Sequence, residues 1–314
     1  MKDKAKTIEL DPIVVAVSSR ALFNLEVEHH IFEKDGFLAY RKYQTDNREK
    51  ILEPGVAFPF VKQFLALNDI FGVENRFFRV VTLSRNSPET AYRFFNSCKH
   101  YHLPITAGAF TSGQSTFPYL KAFNVSLFLS ANIQTVQLAI HSGLAAGLVL
   151  PNKIKKLNEG STLRIAFDFD GVLVDDEAER EFQTRGLTGF NKLEAAKAHT
   201  PHSPGPLSNL FARLSEIQKL DFELHGKSNP YYQPAIRISI VTSRGTPSEE
   251  RLITTLKSLG MSAAELFLLD GLDKAPILEA LQPHIFFDDQ IKHLTSTQIH
   301  IPSVLVPFGI HNQD

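Results

Sequence analysis

Short apolar runs that favour β-strands recur along the chain and alternate with segments of helical periodicity. The predicted strands begin at Ile13, Arg79, Leu127, Leu163, Ile236, Leu266, Ile285 and Val304. Strands that alternate with helices predict an α/β fold, in which helices cover mostly parallel sheets.

One helix between these strands has clear end signals, at residues 246–260. Thr246 and Glu249 have the spacing of a capping box, and Pro247 suits the first helical position. Gly260 suits the carboxyl-terminal stop. We therefore predict a helix over this segment.

The two halves of the chain carry similar motifs in the same order. "SRNSPETAYRFF" at Ser84 parallels "SRGTPSEERLIT" at Ser243, and "GQSTFPYLKAF" at Gly113 parallels "GLDKAPILEAL" at Gly271. This pattern predicts a duplicated α/β unit, with one copy in residues 1–158 and the other in 159–314. The linker is expected near residues 151–162.

The spacing of the matched residues is nearly constant in the later parts of the two halves. Arg244 lies 159 residues after Arg85, whereas Ala166 lies 150 residues after Ala16. The difference predicts 9 extra residues between the first and second strands of the second half.

Two pairs of carboxylates follow predicted strands in the second half. Asp168 and Asp170 lie in "LRIAFDFDGVLVDDEAER", and Asp288 and Asp289 end "HIFFDDQ". Side chains two residues apart on an extended segment point the same way, so the first pair should project together from the end of its strand. That edge of an open α/β sheet is where ligands bind.

Carboxylates that converge at one edge repel one another unless a cation lies between them. Hard oxygen ligands suit Mg²⁺, so we predict a magnesium site formed by Asp168, Asp170, Asp288 and Asp289. Thr242 ends another strand and Lys274 follows the turn "DGLD". A hydroxyl and an ammonium beside such a cluster form a site for a phosphoryl group.

This ordered set resembles the motifs of the haloacid dehalogenase-like phosphohydrolases. A wider resemblance, to the cytosolic 5'-nucleotidase type I family, rests on "AVSSRALF", "EPGVAFPFVK", "LSRNSPET", "YLKAFNVSLFLSAN", "DDEAER", "GLDK" and "IFFDDQ". It implies two haloacid dehalogenase-like, Rossmann-like units, the second of them catalytic. It also implies Mg²⁺-dependent hydrolysis of nucleoside 5'-monophosphates, with AMP favoured, and a cap inserted at about residues 175–235.

The resemblance also implies a role for each site residue. Asp168 would attack phosphorus and form an aspartyl-phosphate, and Asp170 would serve as general acid and then general base. Thr242 and Lys274 would complete the catalytic set. The substrate-binding set would comprise Thr242, Ser243, Arg244 and Lys274, and Asp288 with Asp289 would hold the metal.

Two other functions stay open from the sequence. One is a phosphatase or phosphotransferase of the same superfamily that acts on sugar phosphates, and the other is a nucleotide-binding regulatory protein. The first half has Ser18, Arg20, Thr116, Ser130 and Ala131 where the second half has its charged site residues. We therefore expect a non-catalytic first half, which contributes part of the nucleotide pocket, holds a regulatory nucleotide site or serves only as a scaffold.

Composition limits the partners and the compartment. The formal net charge of -1 over 314 residues provides no general attraction for a nucleic acid polymer or an anionic membrane. The single cysteine excludes an internal disulfide, and the amino-terminal residues lack the apolar core of a signal peptide. These features predict a cytoplasmic protein without a membrane span, and association into a homo-oligomer stays open.

Overall fold

The structure is a computed structural model that describes residues 11–71, 76–151, 160–227, 229 and 231–312. The ten amino-terminal residues, for which the sequence predicts no signal peptide, lie outside the described residues, as does most of the predicted linker at 151–162.

The described chain alternates strands and helices, as the sequence predicts. The strands are β1 (Ile13–Val17), β2 (Phe78–Ser84), β3 (Gly108–Phe110), β4 (Leu127–Ser130), β5 (Ala146–Val149), β6 (Leu163–Phe167), β7 (Ile236–Thr242), β8 (Glu265–Leu268), β9 (Ile285–Asp288) and β10 (Ser303–Leu305). The helices are α1 (Ser19–Leu22), α2 (Glu26–Asp46), α3 (Phe58–Phe71), α4 (Glu89–His100), α5 (Phe117–Ala122), α6 (Ile133–His141), α7 (Glu177–Ala196), α8 (Ser208–Asp221), α9 (Glu249–Ser258), α10 (Ala275–Leu281) and α11 (Ile291–Thr297).

All ten strands belong to one sheet, in the order β3-β2-β1-β4-β5-β10-β9-β6-β7-β8. Neighbouring strands are parallel except for β5 and β10, which pair antiparallel where the two halves of the chain meet. From the edge of the sheet inwards, the first half has the order β3-β2-β1-β4-β5 and the second half has β8-β7-β6-β9-β10. Each half thus places its third, second, first, fourth and fifth strands in that order. The predicted α/β class is therefore confirmed, with the correction that one continuous sheet spans both halves.

The eight predicted strands are present, and the structure adds β3 and β5, which the sequence reading missed. Both are short and contain glycine, "GAF" and "AGLV", so neither has the β-branched or aromatic run that identifies a strand.

The extra residues of the second half lie at the end of α8. α8 begins 150 residues after α3, whereas β7 begins 158 residues after β2. The difference is 8 residues rather than the predicted 9, and it falls within residues 222–235, where a π-helical turn at Phe222–Gly226 prolongs α8. The helices α2 and α7 are similar in length and each bends at a glycine with positive φ, Gly36 and Gly186.

Helices cover both faces of the sheet around the second half. On β6, Ile165 and Phe167 belong to the large core, whereas Ala166 faces a smaller core that includes Leu278 of α10 and Leu294 of α11. This alternation follows from the period of a strand, and it buries β6 on both faces. Among the described helices, none is both long and apolar enough to cross a membrane.

α8 belongs to the core, although its residues fall within the range predicted for a cap. Leu210, Phe211 and Leu214 are buried, and Phe211 contacts Phe167 of β6 edge to face with ring centroids 5.1 Å apart. α8 is therefore one of the layers that support the sheet.

The predicted helix at 246–260 begins later than its sequence signals indicate. Ser248 N and Oγ both bond to the carbonyl oxygen of Gly245, so a turn continues to Ser248 and the helix starts at Glu249. The predicted capping box does not form, whereas Gly260 ends the helix with a φ of +67° as predicted.

Candidate active site

The carboxyl ends of β6, β7 and β9 meet at one edge of the sheet because these strands are parallel neighbours. Asp168 follows β6, Thr242 ends β7 and Asp288 ends β9. The Asp168 amide donates to the carbonyl oxygen of Phe287 at 2.8 Å, which fixes the first carboxylate beside the third strand. The sheet therefore brings together residues that are up to 120 positions apart in the sequence.

Lys274 joins two of the predicted carboxylates. Its Nζ lies 2.7 Å from Oδ2 of Asp168 and 2.7 Å from Oδ2 of Asp288, and all three side chains are buried. Burial opposes the charge on Lys274, but the two carboxylates outweigh it and hold the pKa of Lys274 above its ordinary value. The ammonium therefore stays charged at the centre of the site.

The two carboxylates beside Lys274 differ in their tendency to hold a proton. Burial raises the pKa of Asp168 to about 6, although Lys274 opposes the rise. Burial acts in the same direction on Asp288, but Lys274 and His293 together hold the pKa of Asp288 below its ordinary value.

Asp289 is a buried carboxylate beside Asp288 at the same edge of the sheet. Its Oδ1 is buried and has no hydrogen-bond partner among the described residues. Burial and the charges of Asp288 and Asp168 raise the pKa of Asp289 well above its ordinary value. Gly171, with a φ of +68°, packs against this carboxylate so closely that a Cβ there would lie 2.5 Å from Oδ2 of Asp289.

His293, on α11, is a site residue that the sequence reading missed. Its Nδ1 lies 3.2 Å from both carboxylate oxygens of Asp288. Asp168, Asp288 and His293 each offer a ligand atom within 4.8 Å of the others, so they could hold a metal ion. The only sequence signal was the position of His293 in the helix directly after the "DD" motif.

The residues at this edge fit a divalent cation. Three buried carboxylates, Asp168, Asp288 and Asp289, face one ammonium, and the Oδ1 of Asp289 is unpaired. A hard cation satisfies both the excess negative charge and the free oxygen.

Asp170 lies apart from Lys274 and is bound by Arg244. Nε and Nη2 of Arg244 donate to the two oxygens of Asp170, each at 2.7 Å. This paired geometry is the strongest form of a charge-assisted hydrogen bond. Because the guanidinium already binds protein carboxylates, the structure gives Arg244 a partner other than the predicted substrate.

The remaining contacts of Arg244 connect it to α7 and to the loop after it. Nη1 of Arg244 bonds to Glu194, and Nη2 lies 3.1 Å from Nε2 of His202. The guanidinium carbon also lies 5.0 Å from the ring centroid of Phe169 and 5.4 Å from that of Phe190. Sequence reasoning missed Glu194, because a charged residue on a helix is usually exposed, and it missed His202, which lies in a loop without a motif.

Glu194 is held as a carboxylate inside the protein. Burial opposes its charge, but His202 and Arg244 outweigh it and lower the pKa of Glu194 to about 2. Arg251 adds a hydrogen bond of 2.8 Å to the other oxygen of Glu194. Arg244 follows β7 and Arg251 lies on α9, so the two arginines tie α7 to both of these elements.

Thr242 and Ser243 complete the predicted set at the end of β7. The Oγ1 of Thr242 accepts a bond of 3.2 Å from the Arg244 amide, and the carbonyl oxygen of Ser243 accepts one of 2.9 Å from Gly271. Thr242 is buried and Ser243 is half-buried. The structure therefore places both at the same edge as the acidic cluster.

The arrangement can support transfer of a phosphoryl group. Asp168 supplies a fixed carboxylate oxygen, and Lys274 supplies a permanent positive charge beside it. Thr242 supplies a hydroxyl and Asp170 a second carboxyl two residues from the first. A nucleophile, a neighbouring acid and positive charge are the components of covalent phosphoryl transfer.

Comparisons with known proteins identify the family of the chain. A family model described as 5'-nucleotidase matches residues 5–313. The chain is 34% identical over 291 residues to human "Cytosolic 5'-nucleotidase 1B", across 91% of this chain and 47% of that protein. It thus spans about half the length of the curated relative that it matches.

A comparison with solved structures adds nothing to the fold. A crystal structure of histidinol dehydrogenase from Elizabethkingia anophelis covers 94% of this chain and 80% of its own, at 8% identity and a TM-score of 0.21. A TM-score this low carries no structural argument. The family model, in contrast, matches nearly the whole chain, and it shows that the protein belongs to the 5'-nucleotidase family.

Proposed function

We propose that this protein is an Mg²⁺-dependent enzyme that hydrolyses nucleoside 5'-monophosphates, AMP among them, to a nucleoside and phosphate. The observation that carries the proposal is the buried contact of Lys274 with both Asp168 and Asp288, at 2.7 Å each. Membership of the 5'-nucleotidase family supports the substrate class. The name of the human relative, of which the chain spans about half, supports a cytoplasmic location.

In the proposed reaction, an oxygen of Asp168 attacks phosphorus, and the bond from phosphorus to the nucleoside 5'-oxygen breaks. Asp170 gives its proton to that departing oxygen. Water then attacks phosphorus of the aspartyl-phosphate and loses a proton to Asp170, so phosphate leaves and the Asp168 carboxylate returns. Lys274 and the Thr242 hydroxyl hold the phosphoryl oxygens in both steps.

Magnesium would be held by Asp168, Asp288, Asp289 and the carbonyl oxygen of Asp170, and it would offset charge on the phosphoryl group when bound. We assign His293 the role of orienting Asp288, because imidazole nitrogen is a poorer ligand for magnesium than oxygen.

Arg244 has two roles in the proposal. With both oxygens of Asp170 bound by Arg244, the carboxyl group is not free to donate a proton. We infer that the entering phosphoryl group takes over one of these hydrogen bonds and so frees an oxygen of Asp170. Arg244 would then contact the substrate, as the family resemblance implies.

We propose a cap formed by α7, which is narrower than residues 175–235 because α8 is part of the core. The exposed side chains of Phe182 and Leu187, together with Phe190, would face the nucleoside. We also propose that the halves at residues 1–158 and 159–314 are duplicated units, which their common strand order supports.

The test is phosphate release from AMP, IMP, CMP, dAMP and a set of sugar phosphates, with and without Mg²⁺. The expected result is turnover of the nucleotides that is at least about tenfold faster, by kcat/KM, than that of any sugar phosphate. Asp69→Asn, which removes an exposed carboxylate, is the matched control for Asp168→Asn and should release phosphate as the wild type does. Equal or faster turnover of sugar phosphates would favour the wider phosphatase function instead.

A further inference from the structure

A cavity of about 510 Å³ lies in the first half of the molecule, away from the proposed catalytic site. Its volume is within the range of about 300 to 1,000 Å³ that small-molecule sites occupy. Its lining includes four polar residues that follow or end strands, or begin a helix: Ser18, Ser84, Thr116 and Ser130. Ser18 lies 150 residues before Asp168, and the other three lie 158 residues before Thr242, Lys274 and Asp288. The cavity therefore occupies in the first half the place that the proposed active site occupies in the second half.

Two pairs of hydrogen bonds support this correspondence. Ser18 N donates to Leu129 O at 2.9 Å, as Asp168 N does to Phe287 O at 2.8 Å. The backbone N–H of Asn86 donates to Oγ of Ser84 at 3.1 Å, as the backbone N–H of Arg244 donates to Oγ1 of Thr242 at 3.2 Å. The second pair aligns Asn86 with Arg244, so the sequence match of Arg85 with Arg244 is shifted by one residue.

One part of the cavity carries positive charge and hydroxyl groups. Arg85 is exposed, and its Nε and Nη2 both donate to the carbonyl oxygen of Gly113, which holds the guanidinium at the cavity. Arg20 lines the same cavity. The carboxylate in the lining, Glu28, is buried and bound by Arg93 at 2.6 Å, so it does not offset the charge of Arg85. Arg20 instead donates from Nε and Nη2 to the two carboxylate oxygens of Glu26, each at 2.8 Å, so Arg85 is the lining arginine without a carboxylate partner among the described residues. Arginines with hydroxyls favour a phosphate group.

The other part of the cavity is aromatic. Phe32 and Phe37, on either side of the bend in α2, keep 48% and 40% of their surfaces exposed, and Tyr40 lies beside them. These three residues lie 150 positions before Phe182, Leu187 and Phe190, respectively. Those are the residues of α7 that we assign to the nucleoside. Exposed aromatic rings at a cavity provide a face on which a planar base can stack.

We propose that this first-half cavity binds a nucleoside 5'-monophosphate and does not hydrolyse it. Arg85 would hold the phosphate, and Phe32 and Phe37 would contact the base. The bound nucleotide stays intact because Ser18 takes the place of the nucleophile Asp168, so no carboxylate is available to attack. The choice of a nucleoside 5'-monophosphate as ligand rests on the proposed function, whereas the phosphate and base contacts are read from the residues of this cavity.

The two sites can be observed one at a time because the chain contains no tryptophan. The Phe37→Trp variant places one indole at the first-half cavity, and the Leu187→Trp variant places one at the equivalent position of α7. Both are made with Asp168→Asn, so that nucleotide is not consumed. We expect AMP, IMP or CMP to change the fluorescence of both variants in a saturable manner, and calorimetry with Asp168→Asn alone to count two nucleotides per chain.

Arg85→Ala, added to the Phe37→Trp protein, should weaken binding there by at least about tenfold, because it removes a charge-assisted hydrogen bond. The matched control is Arg79→Ala, which removes an exposed arginine of the same half outside the cavity and should leave binding unchanged.

The proposal is overturned if no nucleotide changes the Phe37→Trp signal at concentrations that saturate the Leu187→Trp protein. It is equally overturned if Arg85→Ala binds as tightly as Arg79→Ala. Failure of the proposed catalysis has a different signature, in which the Leu187→Trp signal is silent and the wild type releases no phosphate.

Discussion

The guanidinium of Arg244 donates one hydrogen bond to each carboxylate oxygen of Asp170, both at 2.7 Å, and its third nitrogen bonds to Glu194. The loop after β7 is thereby tied both to the proposed general acid and to α7. Arg244 and Glu194 are almost fully buried, so their contact is shielded from water and from salt.

Replacing Arg244 should cost far more stability than replacing an exposed arginine. We expect Arg244→Ala to lower the free energy of unfolding by about 3 kcal/mol or more, because it leaves the buried carboxylate of Glu194 with less compensation. Arg237→Ala, which breaks a partly exposed pair with Glu265, should cost about 1 kcal/mol or less. Urea unfolding of the two variants decides the matter, and equal losses would contradict the prediction.

Asp168→Asn should reduce kcat by at least about a thousandfold while the protein stays folded, because the amide keeps the shape of the side chain and loses the attacking oxygen charge. Phosphate release from AMP is the measurement, with circular dichroism to check folding. Asp69→Asn removes a carboxylate from the surface and should retain full activity. A variant at Asp168 with near wild-type turnover would exclude this residue as the nucleophile.

Asp170→Asn should slow the hydrolysis of AMP by about a hundredfold or more, since a nucleoside 5'-oxygen needs a proton as it leaves. An aryl phosphate has a leaving group that departs without a proton, so its release from the enzyme should be affected less. The ratio of the two losses in kcat is the diagnostic quantity. Equal losses for both substrates would argue that Asp170 serves another step.

Removal of metal should abolish activity, and it should also lower thermal stability. The buried carboxylates Asp168, Asp288 and Asp289 outnumber the single ammonium of Lys274, so a cation that binds only the folded state stabilises it. We expect Mg²⁺ to raise the Tm of the EDTA-treated wild type. Asp289→Asn should show a smaller rise, and activity that ignores EDTA would contradict the metal assignment.

The stability of the α7 contact should depend on the protonation of His202. Burial and Arg244 oppose a charge on this ring, but Asp175, Glu194 and Asp170 outweigh them and raise the pKa of His202 above its ordinary value of 6.5. A raised pKa means that the charged ring contributes stability that is complete below the unfolded pKa and is lost as the pH rises through the folded pKa.

We therefore expect the free energy of unfolding of the wild type to fall, as the pH rises above 6.5, more steeply than that of His202→Gln. Denaturant unfolding at several pH values measures both slopes. His199→Gln, which changes an exposed histidine near the same loop, should retain the wild-type slope. If His202→Gln retained it as well, the ring would not be the group that titrates.

The class of fold and the position of the site could be predicted from the order of residues along the chain. A strand is local, so runs such as "LRIAF" and "IRISIV" identify β6 and β7 without their neighbours. Parallel strands place their carboxyl ends at one edge, so Asp168, Thr242 and Asp288 could be expected together before their distances were known.

The tertiary structure alone decided which groups pair with which. No local pattern links β5 with β10, which pair antiparallel, or places α8 in the core. The same holds for the contacts of Arg244 with Glu194 and His202. A strand or helix signal depends on neighbours in sequence, whereas a buried ion pair depends on which surfaces meet and lose water. For that reason the sequence determined which carboxylates follow the strands, and only the folded chain determined what binds Asp170 and where the first half leaves a cavity.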